Sequence, residues 1–185
     1  MIDDTLLEAE EKMDTAIEVA KEQFGGIRTG RANAGMFSSL EVDYYGAPTP
    51  LQQLASFNIP DGRTVLITPF DKSSMAAVEK TLRESDLGVN PSNDGNQIRV
   101  IMPTLTEERR RDYVKLAKTK AEDARISVRG VRRKAKEQLD KLVKDGEVGE
   151  DEGARAEKEL EALTKKHVDL VDQLLAGKES ELLEV

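Results

Sequence analysis

Residues 106–145 read TEERRRDYVKLAKTKAEDARISVRGVRRKAKEQLDKLVKD, and the organisation of the whole chain turns on this stretch. No proline interrupts it. As a single helix it would be about 60 Å long, at about 1.5 Å per residue. Val114, Ala117, Ala121, Ala124, Val128, Val131, Ala135, Gln138 and Leu142 recur at alternating steps of three and four. Such a heptad seam predicts that one face packs against other helices. A second stripe runs beside the seam: Arg125, Arg129, Arg132 and Lys136 each follow a seam residue by one position. With Arg133 and Lys134 they make an unbroken basic run, for no acid stands between Arg125 and Lys136.

The charge balance sets this helix apart. The chain has 185 residues and a formal net charge of −8. Residues 106–145 hold 14 Lys and Arg against 8 Asp and Glu, so this stretch is +6 and the remainder −14. A basic stripe on an acidic chain attracts a polyanion along one face and repels it elsewhere. Spacing alone leaves two readings open. The arginines could grip phosphates, or they could pair with acids on neighbouring helices. The planar guanidinium suits bidentate phosphate contacts. No aromatic is interleaved to stack single-stranded bases, so folded RNA held through its phosphates fits the first reading better.

Working outward, Ile2 to about Thr29 predicts a first helix, with Ile2, Leu6, Ala9, Met13, Ala16, Ala20, Phe24 and Ile27 on one face. Asp145-Gly146 predicts a glycine-capped end to the central helix. A third helix is expected from about Glu150 to Leu183, with Ala156, Leu160, Leu163, His167, Leu170, Leu174 and Gly177 as its seam. Three matching seams predict one elongated bundle, and the short Gly146–Gly149 connection makes the second and third helices antiparallel.

Residues 31–104 have another texture. Leu40–Tyr44, Thr64–Thr68 and Gln97–Met102 read as strands, and Asp71–Ser85 as a short helix. Gly46-Ala47-Pro48-Thr49-Pro50 reads as a break after the first strand. Thr104 with Glu107 fits a capping box that restarts the helical texture. The expected organisation is therefore α+β: residues 1–30 and 105–185 form the bundle, and 31–104 form an inserted module. The two crossings, at Gly30-Arg31 and Thr104-Leu105, predict a hinge.

Catalysis has little support. Gly25 to Ala32 approaches a phosphate-binding loop, but Arg31 replaces its lysine, Ala32 replaces its hydroxyl, and the stretch follows a helix rather than a strand. His167 is the only histidine and sits on a seam, where a structural role is expected. Ser73 and Ser74 lie at a helix start, as caps do. There is no cysteine, which excludes disulfides and thiolate metal sites. No nucleophile–base pair, metal-ligand spacing or nucleotide fingerprint is present, so neither enzyme activity nor a cofactor is expected. No apolar run approaches the length of a membrane span. Met1-Ile2-Asp3-Asp4 lacks the basic start and apolar core of a signal peptide, so a cytoplasmic protein is expected.

Several motifs, in order, resemble those of the bacterial ribosome recycling factor family. They are Ile27-Arg28-Thr29-Gly30-Arg31-Ala32-Asn33, Val42-Asp43-Tyr44-Tyr45-Gly46-Ala47-Pro48-Thr49-Pro50, Ser85-Asp86-Leu87-Gly88-Val89-Asn90-Pro91-Ser92-Asn93-Asp94-Gly95 and Leu105-Thr106-Glu107-Glu108-Arg109-Arg110. Val128-Arg129 to Arg132-Arg133 and the closing Glu184-Val185 match as well. The resemblance implies a three-helix bundle hinged to a small β/α/β sandwich domain, with an outline like transfer RNA. It implies a factor without an active site that acts after termination. With elongation factor G and GTP, it would split the ribosome into subunits and free messenger and deacylated transfer RNA.

On the resemblance, the bundle docks on large-subunit, 23S-type ribosomal RNA. Arg129 and Arg132 are prominent there, Arg125, Arg133 and Lys136 belong to the same stripe, and Arg28 is a lesser candidate. Gly30, Arg31, Thr104 and Leu105 would form the hinge. Elongation factor G would push the inserted domain, which could also reach the small subunit. A monomer away from membranes is implied. Three positions depart from the family pattern: Ala34 for a proline, Gly130 for an asparagine and Gly149 for a serine. The competing reading is a coiled-coil adaptor whose basic stripe binds an acidic protein, without dependence on RNA.

Overall fold

A computed structural model describes residues 1–184; the Val185 of the closing Glu184-Val185 motif lies outside the described residues. The fold is α+β. In chain order it comprises α1 (Ile2–Gly25), a 3-10 turn (Ala34–Phe37), β1 (Glu41–Tyr44), β2 (Ala47–Pro50), α2 (Leu51–Leu54), β3 (Ala55–Asn58) and β4 (Thr64–Pro69). A second 3-10 turn (Lys72–Ser74), α3 (Met75–Glu84), β5 (Ser92–Asn93), β6 (Ile98–Ile101), α4 (Glu107–Lys144) and α5 (Glu150–Leu183) complete it. Contacts divide the chain into two compact units: Met1–Phe24 with Leu116–Lys178, and Gly25–Lys115 with the segment from Glu179 onward.

The first unit is a three-helix bundle. Ala9 and Met13 of α1, Val128, Ala135 and Leu139 of α4, and Ala156 and Leu160 of α5 share its core. Ion pairs from Arg125 to Asp172 and from Lys136 to Glu157 fix α4 and α5 as antiparallel neighbours. Their connection is a Schellman turn. Gly146 takes φ 73°, its N–H donates to the Val143 carbonyl, and the Glu147 N–H donates to that of Leu142. Just beyond, a side chain at Gly153 would put its Cβ 2.5 Å from Val143 Cγ2, so the close approach of the two helices requires glycine there. His167 is fully buried. Its Nδ1–H donates to the Leu163 carbonyl at 2.7 Å, and its Nε2 lies 2.7 Å from Asp14 Oδ1 of α1, tying two helices as a structural histidine would.

Seam positions differ from the expected ones on all three helices. On α4, Gln138 is exposed and Leu139 is buried in its place, since an amide loses water on burial while leucine gains by it. On α1, Ile17 is buried while Ala16 is half-covered, and on α5 Lys178 is buried while Gly177 faces solvent. The α1 helix stops at Gly25, before the expected Thr29. The cap of α4 is Thr106 rather than Thr104: its Oγ1 accepts from the Arg109 N–H at 3.2 Å.

In the second unit β1 and β2 form a hairpin, and β3-β4-β6-β5 form an antiparallel four-stranded sheet. One core gathers Val42, Leu51, Ile67, Val78, Leu82 and Ile98 from β1, α2, β4, α3 and β6. The stretch expected to break the first strand instead forms β2. Asp43 faces Pro48 and Glu41 faces Pro50 in the ladder. Prolines lack a donor but are tolerated on an edge strand. Tyr45 and Gly46 both take positive φ, 51° and 80°. Those angles suit the two-residue hairpin turn whose twist matches the strands. The short elements α2, β3 and β5 carry no periodicity long enough to read.

Two stability outcomes follow. Replacing His167 with alanine should lower stability by about 2–4 kcal/mol, from lost packing and a lost interhelical bond. Gly130 sits inside α4, where an added Cβ would meet nothing within 4 Å. Gly130→Ala should therefore raise stability by about 0.5–1 kcal/mol. Urea midpoints measure both; an unmoved midpoint for His167→Ala would show that the histidine ties nothing.

Candidate nucleic-acid interface

The buried side chains Ala121, Ala124, Val128, Ala135 and Leu139 fix how α4 is turned, and so where each basic residue points. The stripe separates into two sets. Arg125, Arg132 and Lys136 border α5 and meet its acids. Arg125 donates from Nε and Nη2 to Asp172 Oδ1 at 3.0 and 2.6 Å, and from Nη1 to Glu122 Oε2 at 3.1 Å. Arg132 donates from Nε to Glu161 Oε1 at 2.7 Å and also from Nη2 to the same oxygen. Lys136 donates to Asp140 Oδ2 at 2.9 Å and lies 3.8 Å from Glu157. The hydrogen bonds they donate to Asp172, Glu161 and Asp140, respectively, hold these three cations above their ordinary pKa values.

Arg129 and Arg133 lie further round the helix. Arg129 has a 53% exposed side chain and only a 3.8 Å approach to Glu122. Arg133 is exposed and makes no hydrogen bond or ion pair among the described residues, and the same holds for Lys134. Between the two arginines and Glu122 stands Ile126, 59% exposed. Pairing with acids is thus realised on Arg125, Arg132 and Lys136, while Arg129 and Arg133 stay exposed. The acids that complete the pairs are Glu122 and Asp140, just outside the basic run, and the acidic face of α5.

Arg28, the lesser candidate, lies apart from the stripe. It is 7% exposed and lies in the second unit. Its Nη1 donates to the Leu87 carbonyl at 3.0 Å and its Nη2 to the Pro103 carbonyl. Burial pulls its guanidinium below the ordinary pKa. A side chain so enclosed is a strut between backbone segments. The sequence shows only an arginine in a loop; burial depends on the distant segments at Leu87 and Pro103.

The four expected hinge residues do come together. Gly30, Arg31, Thr104 and Leu105 line one cavity of about 1020 Å³ in the second unit, with Gly62, Arg63 and Arg110 beside them. Leu105 is buried, Arg31 and Thr104 are exposed, and the Ala32 N–H donates to the Gly62 carbonyl at 2.8 Å. Among the described residues no group of three or more His, Cys, Asp or Glu side chains could hold a metal ion, and no helix is long and apolar enough to cross a membrane.

A family model described as "Ribosome recycling factor" matches residues 20–183. The ribosome-recycling factor of Kineococcus radiotolerans is 73% identical over 185 residues, covering all of both chains. That of Streptomyces avermitilis is 65% identical with the same full coverage. A solution structure of the ribosome recycling factor superposes with a TM-score of 0.76 at 40% identity, covering 100% of this chain and 98% of that one. The T. thermophilus ribosome recycling factor, in models with E. coli elongation factor G bound to the E. coli post-termination complex, gives a TM-score of 0.70 at 40% identity with full coverage of both chains. Matched along its whole length in sequence and in fold, the chain belongs to the ribosome recycling factor family.

Proposed function

We propose that the chain binds the ribosome after termination and, with elongation factor G and GTP, splits it into subunits, releasing messenger RNA and deacylated transfer RNA in the cytoplasm. The observation that carries the RNA-binding part is the exposed pair Arg129 and Arg133 on the one basic helix of an acidic chain. The bundle docks on large-subunit ribosomal RNA through this pair. Arg125, Arg132 and Lys136 join by exchanging carboxylate partners for phosphates. Residues 31–104 act as the lever, turning about Gly30, Arg31, Thr104 and Leu105 when elongation factor G pushes. The chain itself performs no bond-breaking chemistry and needs no cofactor; GTP is hydrolysed by its partner. It works as a monomer.

Co-sedimentation with large ribosomal subunits across a salt series tests the binding half. Arg133→Ala should weaken binding by about 1.5–3 kcal/mol, a typical loss for a charge-assisted hydrogen bond. The logarithmic salt slope should become shallower by about one unit. Arg125→Ala should do less, because Asp172 and Glu122 already hold that guanidinium. If the binding ignores salt and Arg133, the coiled-coil adaptor reading takes over.

The lever half has its own test. With residues 31–104 replaced by a short glycine-rich linker, the bundle should keep near-normal large-subunit affinity, split nothing above the GTPase-only background, and inhibit the intact chain in competition. Splitting by the bundle alone would remove residues 31–104 as the lever.

A further inference from the structure

The second unit carries an exposed aromatic surface that its own packing does not explain. Tyr45 and Phe70 are 80% and 72% exposed, above every other large apolar side chain among the described residues. The remaining phenylalanines and tyrosines are buried or half-buried. Tyr45 is also the only non-glycine residue with positive φ among the described residues. A bulky side chain in that region costs free energy that glycine or asparagine would not incur. The ring gains too little burial to offset the cost.

The ring is nevertheless held in place. Asp71 Oδ2 accepts from the hydroxyls of Tyr44 at 2.9 Å and Tyr45 at 3.3 Å. Its Oδ1 accepts from the Ser73 N–H at 2.9 Å and the Ser73 hydroxyl at 2.7 Å. The Tyr44 and Tyr45 rings meet edge to face, 4.6 Å between centroids. Phe70 immediately precedes Asp71 in the chain, just past the end of β4. Hydrogen bonds to Asp71, first from Ser73, hold its pKa below the ordinary carboxylate value, and it stays ionised.

Fixed, exposed aromatic side chains are what protein interfaces use as anchors, because little freedom is left to lose on binding. The local charge chooses the partner class. Asp71 lies against the Tyr44 and Tyr45 hydroxyls, and exposed Asp43 lies two residues before Tyr45. Carboxylates here repel a phosphate backbone. They suit a protein surface with an apolar patch for Phe70 and a Lys or Arg to lie over the Tyr45 ring beside Asp71. We propose that Tyr45, set by the Asp71 clamp, and exposed Phe70 belong to the surface on which elongation factor G bears against the second unit. The inference rests on the recycling function proposed above and names the contact which that reading leaves open.

The test uses the full chain carrying Tyr45→Gly and Phe70→Ser together; glycine keeps the turn, and both side chains are exposed. Splitting of post-termination ribosomes is measured against the concentration of elongation factor G from the same bacterium. Large-subunit binding is measured without it. The half-maximal concentration should rise about tenfold or more, the worth of an aromatic anchor, while large-subunit binding stays within about twofold of wild type. Phe70→Ser alone should give a smaller rise in the same direction, and serves if the double variant folds poorly. Tyr45→Phe, which keeps the ring but loses its bond to Asp71, should give a rise smaller than that of the double variant. An unchanged half-maximal concentration in the double variant, or in Phe70→Ser if that stands in, overturns the proposal. A comparable loss of large-subunit binding without the GTPase does so as well, and would assign the surface to the ribosome. Failure of the wild-type chain to split ribosomes with elongation factor G would instead overturn the recycling reading itself.

Discussion

The rotation of α4 about its own axis is the constraint on which the rest depends. Successive helical residues advance by about 100°. Burial of Ala121, Ala124, Val128, Ala135 and Leu139 therefore fixes the direction of every other side chain. It places Arg125, Arg132 and Lys136 on the flank shared with α5 and turns Arg129 and Arg133 toward water. A one-residue slip would carry Arg125 and Arg129 into the core and expose Ala124 and Val128. Uncompensated burial of two guanidinium groups costs far more than the seam could return. Small residues strengthen the constraint, since alanine on α4 and Gly153 on α5 let the helices come close enough for their acids and bases to meet.

Much of this was legible in the sequence, because long helices repeat their signal. Three helices, their seams, the Gly146 turn and a structural His167 follow from periodicity and the chemistry of single residues. What was not legible depended on partners far away in sequence. The proline-bearing β2 is a strand only because β1 pairs with it across a turn that Tyr45 and Gly46 make with positive φ. Arg28 is a strut because the carbonyls of Leu87 and Pro103 converge on it. The stripe looked uniform, yet α5 supplies acids at Asp172, Glu161 and Glu157 that divide it. Only the fold brings those residues opposite one another.

That division bears on selectivity. The pairs Arg132–Glu161 and Lys136–Asp140 lie at the surface, where ion pairs contribute little to stability and are weakened by salt. A single small anion would have to displace a carboxylate at a fixed distance and would gain nothing elsewhere. A folded RNA presents many phosphates at once. On the proposed function, it would settle on Arg129 and Arg133 first and then exchange the paired carboxylates of Arg125, Arg132 and Lys136. On that reading the acids of α5 would act against adventitious anions more than against an extended polyanion, and specificity would gain from the repulsive element. The net negative charge of the rest of the chain works in the same direction.

Local rules are kept almost everywhere, and the exceptions are informative. Arg133 carries a charge with no partner among the described residues, on a helix rich in carboxylate neighbours. Tyr45 holds a strained backbone to display a ring that hardly packs. Neither returns its cost within its own unit, whereas buried Arg28 and His167 do so through hydrogen bonds. Residues that break a local rule without an internal return are where an external partner is expected. Gly130 shows that a broken rule alone is not enough. It weakens α4 in the middle of the basic run and has open space around it, but it offers no group for a ligand to meet, and nothing in the structure explains it. What distinguishes Arg133 and Tyr45 is that each presents chemistry: an exposed cation on an acidic chain in one unit, and an anchored ring beside a carboxylate in the other. The first suits phosphate and the second suits protein. On the proposed function, a factor that holds RNA while a protein pushes on it would use two chemically unlike surfaces, so that neither partner occupies the other's site.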